Sequence, residues 1–280
     1  MERATEFQYR VPWPAASYHP GSHHGKQRGG GYELHGIAPL HVAGDPRRFD
    51  LRASLRDPFG QLLVRVFKQR SILPVFLLAD VSASMSFVGQ TCKFDLLIEF
   101  ANSLAYSASR VGDPFAFTAC DTVVRDEISV PLTRARGVGA MVSEHLRRWA
   151  PSGADATGLL AGAEQVAGTR ALVFVVSDFH LPIELLRGIL DRLCAHAVVP
   201  VVLVDSKEGR VPGIGITHLY DPETKARRTI LLRRSWAKRF ENKLLEHREQ
   251  LIRCFADYDL KPLYLIDKFE PEAVSRYFYE

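Results

Sequence analysis

Short apolar runs alternate with longer amphipathic stretches through most of this chain. Runs dominated by Val, Leu and Phe occupy 73–80, 170–178 and 197–205, which is typical of strands buried on both faces. The stretches 93–110 and 181–196 have the apolar spacing of amphipathic helices. Strands that alternate with helices of 10 to 20 residues predict an α/β fold with a doubly wound, mainly parallel sheet.

The edge of this sheet and the C-terminal elements follow from the spacing of the weaker patterns. Two β patterns, at 113–121 and 122–130, follow each other too closely for a crossover helix, so one edge strand should be antiparallel. The remaining patterns predict helices at 133–150 and 158–167, a hairpin near 216–232, a basic helix at 234–256, a strand at 261–267 and a helix at 271–278.

The first 70 residues differ in pattern from the rest and suggest three parts of the chain. Residues 1–31 are rich in Pro, Gly, His and Arg, and we expect an extended arm there. Residues 32–70 have short β patterns and turns, so we expect a small β-rich segment that packs on the main domain. Residues 71–280 form the predicted main domain, with its C-terminal hairpin and helix.

Composition adds limits to this picture. The 280 residues are 46% hydrophobic and 24% charged, with a formal net charge of +4, which is ordinary for a globular protein and does not indicate nucleic-acid binding. None of the four cysteines forms a C-x-x-C pair, so we expect free thiols in a reducing compartment. The sequence has no secretory pattern and no apolar run near 18 residues, and we expect a soluble, cytoplasmic protein without a membrane span.

The candidate chemistry lies where two of the buried strands end on an acid. The first runs into Asp80, Ser82 and Ser84, and another ends on Asp178. Because ligands of doubly wound sheets bind outside the carboxyl ends of the strands, these groups should share one rim. Carboxylate and hydroxyl oxygens suit Mg²⁺, Mn²⁺ or Ca²⁺ and not zinc. So few anionic ligands would leave the cation with an open position for a partner's carboxylate.

The pattern Asp80-x-Ser82-x-Ser84 resembles the metal-ion-dependent adhesion site of von Willebrand factor A domains. That resemblance implies a Rossmann-like fold and adds Thr157, from the segment 152–166, and Asp178 as further ligands. The three hydroxyls would bind the cation directly, and the two aspartates would act mostly through water. The family's Gly-Gly-Thr is replaced here by Asp155-Ala156-Thr157, so either Asp155 or Thr157 is the ligand from this loop. Mg²⁺ is the first choice of cation, with Mn²⁺ and Ca²⁺ as alternatives.

Residues 31–205 also resemble the domain-of-unknown-function-58 family, in which a G-D-x-R-R-I-D-W-type segment precedes a von Willebrand A domain. The matching positions here are Gly44, Asp45, Arg47, Arg48 and Asp50, with Leu51 in place of the Trp. The resemblance implies a non-enzymatic adaptor or co-chaperone of a MoxR-type AAA+ ATPase. The adaptor would bind that ATPase or its protein client through an acidic side chain of the partner. The short MxaS-type members imply a role in the maturation of methanol dehydrogenase.

Arg47, Arg48, Arg52 and Arg56 leave two interpretations open. They could form a salt-bridged face with Asp45, Asp50 and Asp57, or Arg47 and Arg48 could bind an acidic partner. The basic helix after residue 233 interleaves acids with its Arg and Lys residues, which is typical of a solvated face and not of nucleic-acid binding.

Enzymatic interpretations fit the sequence less well. The chain has no P-loop motif and no G-x-S-x-G motif. A metal-dependent phosphate-ester hydrolase is the alternative, because such enzymes also place an Asp at the end of the first strand. Hydrolases of this type use a second acid two residues later as general acid, and Ser82 stands at that position.

Overall fold

The computed structural model describes residues 5–11, 20–43, 45–166, 168, 170–208, 215–220, 227–232 and 234–280. In chain order its helices and strands are β1 (Pro20–Pro39), α1 (Leu40–Ala43), α2 (Leu51–Arg56), β2 (Leu63–Ser71), β3 (Val75–Asp80), α3 (Lys93–Val111), β4 (Phe115–Cys120), β5 (Val130–Thr133), α4 (Val138–Arg148), α5 (Gly158–Glu164), β6 (Leu172–Ser177), α6 (Ile183–Leu193), β7 (Ala197–Val204), β8 (Gly215–Tyr220), β9 (Arg227–Leu232), α7 (Arg234–Asp257), β10 (Leu263–Ile266) and α8 (Pro271–Tyr279).

Six strands form the central sheet in the order β10-β7-β6-β3-β4-β5. All neighbours in it are parallel except β4 and β5, which pair antiparallel at one edge. β3 lies in the middle: the chain adds β4 and β5 on one side of it and then β6, β7 and β10 on the other. The carboxyl end of β3 is therefore a topological switch point. The predicted fold class, a doubly wound and mainly parallel sheet with one antiparallel edge strand, is confirmed.

Helices cover both faces of this sheet. Successive residues of a strand point to opposite sides, so a strand of continuous apolar residues places apolar side chains on both faces. On β3, Leu77 belongs to one buried cluster and Leu78 to the other. The first cluster contains apolar side chains of α3, α4 and α8, and the second contains those of α5, α6 and the C-terminal part of α7. The apolar runs of the sequence are therefore the strands of a core that is closed on both sides.

The edge strand lies later in the chain than predicted. The segment 122–130 was expected to be a strand, but only Val130 of it belongs to β5, and the residues before it form turns. Asp121 accounts for the difference, because its buried carboxylate accepts hydrogen bonds from the backbone N–H of Val123 and from the Arg125 side chain. These bonds hold the chain in a turn where the alternating pattern alone suggested extension.

The N-terminal residues differ from the expected extended arm over 1–31 in two places. Residues 5–11 lie on the main domain, where the Phe7 ring stacks on Phe100 with centroids 6.0 Å apart and the Tyr9 hydroxyl donates to Asp113 Oδ2 at 2.6 Å. Residues from Pro20 onward belong to β1, which pairs antiparallel with β2. Residues 1–4 and 12–19 of the arm, and Gly44 of the family motif, lie outside the described residues.

A small module precedes the main sheet. It consists of the two-stranded sheet β1-β2 with α1 and α2 beside it. Val64 and Val66 of β2 are buried in it, whereas Leu62 just before the strand is exposed.

The C-terminal elements follow the predicted order. The antiparallel pair β8-β9 is the expected hairpin, and α7, β10 and α8 come after it. None of the described helices is both long enough and apolar enough to cross a bilayer.

Candidate functional site

The first predicted cluster lies at the carboxyl end of β3, in the middle of the sheet. Asp80 is its last residue, and the chain then passes through Ser82 into a short 3₁₀ helix, Ala83–Ser86. A hydrogen bond from Ala83 N–H to the carbonyl of Gly153 holds this turn against the loop before α5. The hydroxyls of Ser82 and Ser84 are 3.1 Å apart, so the alternate spacing brings both to one point as predicted.

The Asp80 carboxylate is almost fully buried, with 1% of the residue exposed. Its Oδ1 accepts a hydrogen bond from Ser82 N–H at 2.9 Å, and its Oδ2 accepts one from the Ser177 hydroxyl at 2.7 Å. Burial raises the pKa of Asp80 to about 6, and the nearby Asp178 charge adds to this, against the lowering effect of the hydrogen bonds. A buried carboxylate that resists ionisation beside a second acid is a setting in which a cation is stabilising.

Asp178 follows β6 on the neighbouring strand and reaches the same rim. Its Oδ2 accepts a hydrogen bond from the Lys93 ammonium at 3.0 Å, and its Oδ1 accepts one from His180 N–H at 3.2 Å. Burial alone would raise the pKa of Asp178, but Lys93 and His180 hold it below its usual value. The next residue, Phe179, has a positive φ of 54°, a conformation that is costly for a bulky residue and recurs at functional sites.

Lys93 was not predicted as part of this site. Its side chain is 0% exposed, and its ammonium lies 3.0 Å from Asp178 and 2.5 Å from Glu208. Burial lowers the pKa of Lys93, but the two carboxylates outweigh it and the net change is upward. The sequence holds one clue to this role. Lys93 is the first residue of α3, a position where the helix dipole favours acids, so a lysine there is unusual.

The loop before α5 supplies the remaining predicted group. The Thr157 hydroxyl lies 2.6 Å from Asp155 Oδ1 and 3.2 Å from the carbonyl of Thr122, and the Thr157 N–H donates to the same Asp155 oxygen. Gly158 follows where no side chain fits, because an added Cβ would lie 2.5 Å from the backbone of Val123. Asp155 and Thr157 therefore act as one hydrogen-bonded unit, and the choice between them as ligand stays open.

All five predicted metal ligands, Asp80, Ser82, Ser84, Thr157 and Asp178, line one pocket of about 190 Å³ at this rim. The rest of its wall consists of Asp155, His180 and the apolar side chains of Ala156, Leu181, Pro182 and Leu185. The oxygens among these groups are hard donors that suit Mg²⁺, Mn²⁺ or Ca²⁺, so the donor set fits the cation that the motif implies.

A second group of donors adjoins the pocket. One ligand atom each from Asp178, His180 and Glu208 lies within 4.8 Å of the others. The Lys93 ammonium already contacts both carboxylates of this group, so the positive charge there is supplied by the chain itself.

The predicted partner-binding residues, Arg47 and Arg48, belong to the N-terminal module and do not line the pocket. Arg48 pairs with Asp45 at 3.2 Å, and its guanidinium lies 4.7 Å from the centre of the Phe67 ring. Asp50 pairs with Arg65 at 2.7 Å. The Arg48–Asp45 pair is therefore one of the contacts that the salt-bridge interpretation predicted, whereas Asp50 pairs with an arginine outside the predicted set.

The strand order and the oxygen-lined rim define a doubly wound α/β domain with a candidate cation site. The family model described as "Protein of unknown function DUF58" matches residues 41–250, and the chain belongs to this family.

Comparisons with individual proteins give more distant similarities. An "Uncharacterized protein in moxR 3'region" from Paracoccus denitrificans is 35% identical over 102 residues, which are 36% of this chain and 97% of that protein. The crystal structure of BatB from Bacteroides thetaiotaomicron is similar with a TM-score of 0.44 at 13% identity, over 73% of this chain and 96% of that one. The crystal structure of the SpRpn10 VWA domain is similar with a TM-score of 0.39 at 10% identity, over 73% and 95%.

Proposed function

We propose that this chain is a non-enzymatic, metal-dependent protein-binding adaptor or co-chaperone of a MoxR-type AAA+ ATPase. The observation that carries the proposal is the convergence of two strand-end carboxylates and three hydroxyls on one pocket at the sheet's switch point. Asp80, Ser82, Ser84, Thr157 and Asp178 would hold a divalent cation there, with Mg²⁺ the first choice and Mn²⁺ or Ca²⁺ as alternatives.

The charges of the pocket support a role in binding a carboxylate. Asp178 is already paired with Lys93, and Asp80 already accepts two hydrogen bonds. A divalent cation placed among these groups would therefore keep part of its positive charge. Such a cation supplies a strong electrostatic contact to an incoming acidic side chain, which makes an acidic residue of a protein partner the expected ligand.

Two findings support the choice of partner. The chain belongs to the DUF58 family, and the relative from Paracoccus denitrificans is named for its place in the 3' region of moxR. A MoxR-type ATPase or its protein client is therefore the partner that we propose, and maturation of a metalloenzyme such as methanol dehydrogenase is a candidate process.

The alternative is a metal-dependent phosphate-ester hydrolase. Such an enzyme needs a group that gives a proton to the leaving oxygen, and the position two residues after Asp80 is Ser82. Lys93, the nearest ammonium described above, is buried between two carboxylates. Turnover of a generic phosphate ester by the metal-loaded protein, lost in Asp80→Asn, would favour the hydrolase.

Metal binding is tested first by calorimetry with Mg²⁺ and Mn²⁺. We expect one cation per chain and no binding by Asp80→Ala. Binding of the same strength by this variant would contradict the site.

The partnership is tested by capture of the purified MoxR-type ATPase from the same organism, with and without EDTA. Ser84→Ala should weaken capture at least tenfold, and EDTA should weaken capture by the unmodified chain similarly. Ser86→Ala is the matched control, because its hydroxyl is bound to the Ala83 carbonyl and does not line the pocket. If capture in EDTA, and capture by Ser84→Ala, are both as strong as capture by the unmodified chain in Mg²⁺, a metal-mediated contact is excluded.

A further inference from the structure

The N-terminal module exposes large apolar side chains beside arginines. Leu51, Arg52, Leu55 and Arg56 of α2 are all exposed, as is Phe59 in the following turn. Leu55 is 78% exposed and Phe59 is 81% exposed. We call these five residues the leucine–arginine face. Apolar groups grouped in this way on a surface are typical of an interaction site.

The attachment of α2 to β2 explains why this face points to solvent. The Ser54 hydroxyl accepts a hydrogen bond from Leu63 N–H at 2.8 Å, and Asp50 N–H donates to the Leu63 carbonyl at 2.9 Å. Ser54 therefore faces the strand. With 100° between successive helical residues, the pair 52/56 lies opposite Ser54, and the pair 51/55 forms the stripe beside it.

The charges of the module leave this face positive. Asp50 caps α2 through Ala53 N–H and pairs with Arg65, and Asp57 accepts hydrogen bonds from the N–H groups of Phe59 and Gln61. Within the described ranges, no ion pair involves Arg52 or Arg56. Asp50 and Asp57 are thus bound to groups within the module, and the guanidinium groups of Arg52 and Arg56 are available to acids of a partner.

We propose that the leucine–arginine face is a second docking surface, which binds an acidic segment with exposed apolar side chains on the MoxR-type ATPase. The identity of this partner rests on the proposed function, but the contact needs no cation. Leu55 and Phe59 would be the apolar anchors, and Arg52 and Arg56 would pair with acids beside them, an arrangement in which a few anchors carry most of the binding energy.

Two other occupants fit the face less well. A second copy of the chain, paired through the same face, would bring Arg52 and Arg56 against the same arginines across a twofold axis. A bilayer surface usually takes a much longer amphipathic helix, whereas α2 has six residues and ends directly before Asp57. A protein segment that supplies both acids and apolar side chains matches the size and the charge of this face.

The experiment measures binding of the full chain to the same ATPase by biolayer interferometry, in Mg²⁺ and in EDTA. The variants are Leu55→Ser with Phe59→Ser, and Arg52→Glu with Arg56→Glu. Their matched controls are Leu132→Ser and Arg134→Glu, two exposed residues of the main domain. Thermal melts followed by circular dichroism check that each variant is folded, which we expect because the altered side chains are exposed.

We expect the unmodified chain to keep weaker, salt-dependent binding in EDTA. Both face variants should lower the affinity at least tenfold in Mg²⁺ and abolish the binding that remains in EDTA, while the controls bind like the unmodified chain. Face variants that bind normally would overturn the second surface and leave the metal contact intact. Loss of binding in these variants with no effect of EDTA would instead overturn the metal contact and keep this surface.

Two further measurements decide between the occupants. Sedimentation velocity should show the unmodified chain and the Arg52→Glu, Arg56→Glu variant as the same species, so a dimer lost in this variant would overturn the choice of partner in favour of a second copy. Flotation with vesicles of phosphatidylglycerol and phosphatidylcholine should show no bound protein, and binding lost in the face variants would favour a bilayer. If the unmodified chain does not bind the ATPase in Mg²⁺, both this proposal and the proposed function are wrong.

Discussion

The Lys93 ammonium lies 3.0 Å from Oδ2 of Asp178, a carboxylate that the motif predicts to be a metal ligand. Neither side chain is more than 2% exposed. A buried ion pair of this kind pays a desolvation cost that its mutual attraction offsets only with good geometry. Here the ammonium also contacts Glu208, so Lys93 supplies a fixed positive charge next to the pocket, and a bound cation would share Asp178 with it.

Lys93→Met should destabilise the metal-free protein much more than the metal-loaded protein. Without the ammonium, Asp178 stays buried beside Asp80 with no cation, which should lower the free energy of unfolding by about 3–5 kcal/mol. Mg²⁺ should restore part of this loss, because it supplies the missing charge. Urea unfolding with Mg²⁺ and with EDTA measures both effects.

Two further variants show whether the effect depends on Asp178. Lys93→Arg keeps the charge and should show a smaller difference between Mg²⁺ and EDTA. Glu208→Gln removes the negative charge from the other contact of Lys93 without changing Asp178, so Mg²⁺ should recover less of its loss. If Lys93→Met loses the same stability in Mg²⁺ and in EDTA, the lysine has a structural role alone.

Thr157→Val should weaken Mg²⁺ binding more than Asp155→Asn does. The Thr157 hydroxyl lies within hydrogen-bonding distance of Asp155 Oδ1, and a hydroxyl that donates there keeps its lone pairs free for the pocket. We expect a loss of more than tenfold for Thr157→Val, a smaller loss for Asp155→Asn, and near-normal binding for Thr157→Ser. Calorimetry gives the three affinities, and complete loss in Asp155→Asn with binding kept in Thr157→Val would identify Asp155 as the ligand.

The sequence predicted the parts of the site that follow from strand position. Asp80 and Asp178 end two buried runs, and parallel strands carry their ends to the same rim, so their convergence needed no three-dimensional information. The two serines followed because alternate positions at a strand end approach one point. Thr157 came from the resemblance alone, and its bond to Asp155 could not be read from the pattern.

Other contacts could not be predicted because they join distant parts of the chain. Lys93 is 85 residues from Asp178 and 115 from Glu208, and a lysine at the start of a helix is ordinarily solvated. Phe7 belongs to a segment rich in proline and glycine, and its packing on Phe100 and Phe269 joins distant parts of the chain, which no periodicity reveals. Local patterns thus predicted the helices and strands, whereas the burial of Lys93 and Phe7 depends on tertiary contacts.

The pKa of Asp80 predicts how the metal-free protein depends on pH. Since burial raises this pKa from 3.8 to about 6, the folded protein holds a proton between these values that the unfolded chain has released. Stability should therefore fall as the pH rises through this window, and the ionised carboxylate should cost up to about 3 kcal/mol above it. Asp80→Asn removes this cost, so it should stabilise the metal-free protein at pH 7.5 and have little effect near pH 4.

Mg²⁺ binding should show the opposite dependence, because the cation needs the ionised carboxylate. Calorimetry should give an affinity about tenfold lower at pH 5 than at pH 7.5, as expected for a competing proton with a pKa of about 6. Unfolding of the unmodified protein and of Asp80→Asn, measured in EDTA across pH 4 to 8, gives the stability effect. Parallel curves for the two proteins would show that Asp80 titrates normally.

Phe7→Ala should destabilise the main domain although Phe7 lies near the N-terminus. Its ring is 2% exposed, stacks on Phe100 and meets the edge of Phe269. Removal of a buried Phe side chain leaves a cavity and costs about 3–5 kcal/mol, which denaturant unfolding measures. Phe59→Ala is the matched control, because the Phe59 ring is exposed and its loss should change stability by less than about 0.5 kcal/mol. An equally small effect of both substitutions would mean that residues 5–11 are an arm, as the composition of the segment suggested, and not part of the core.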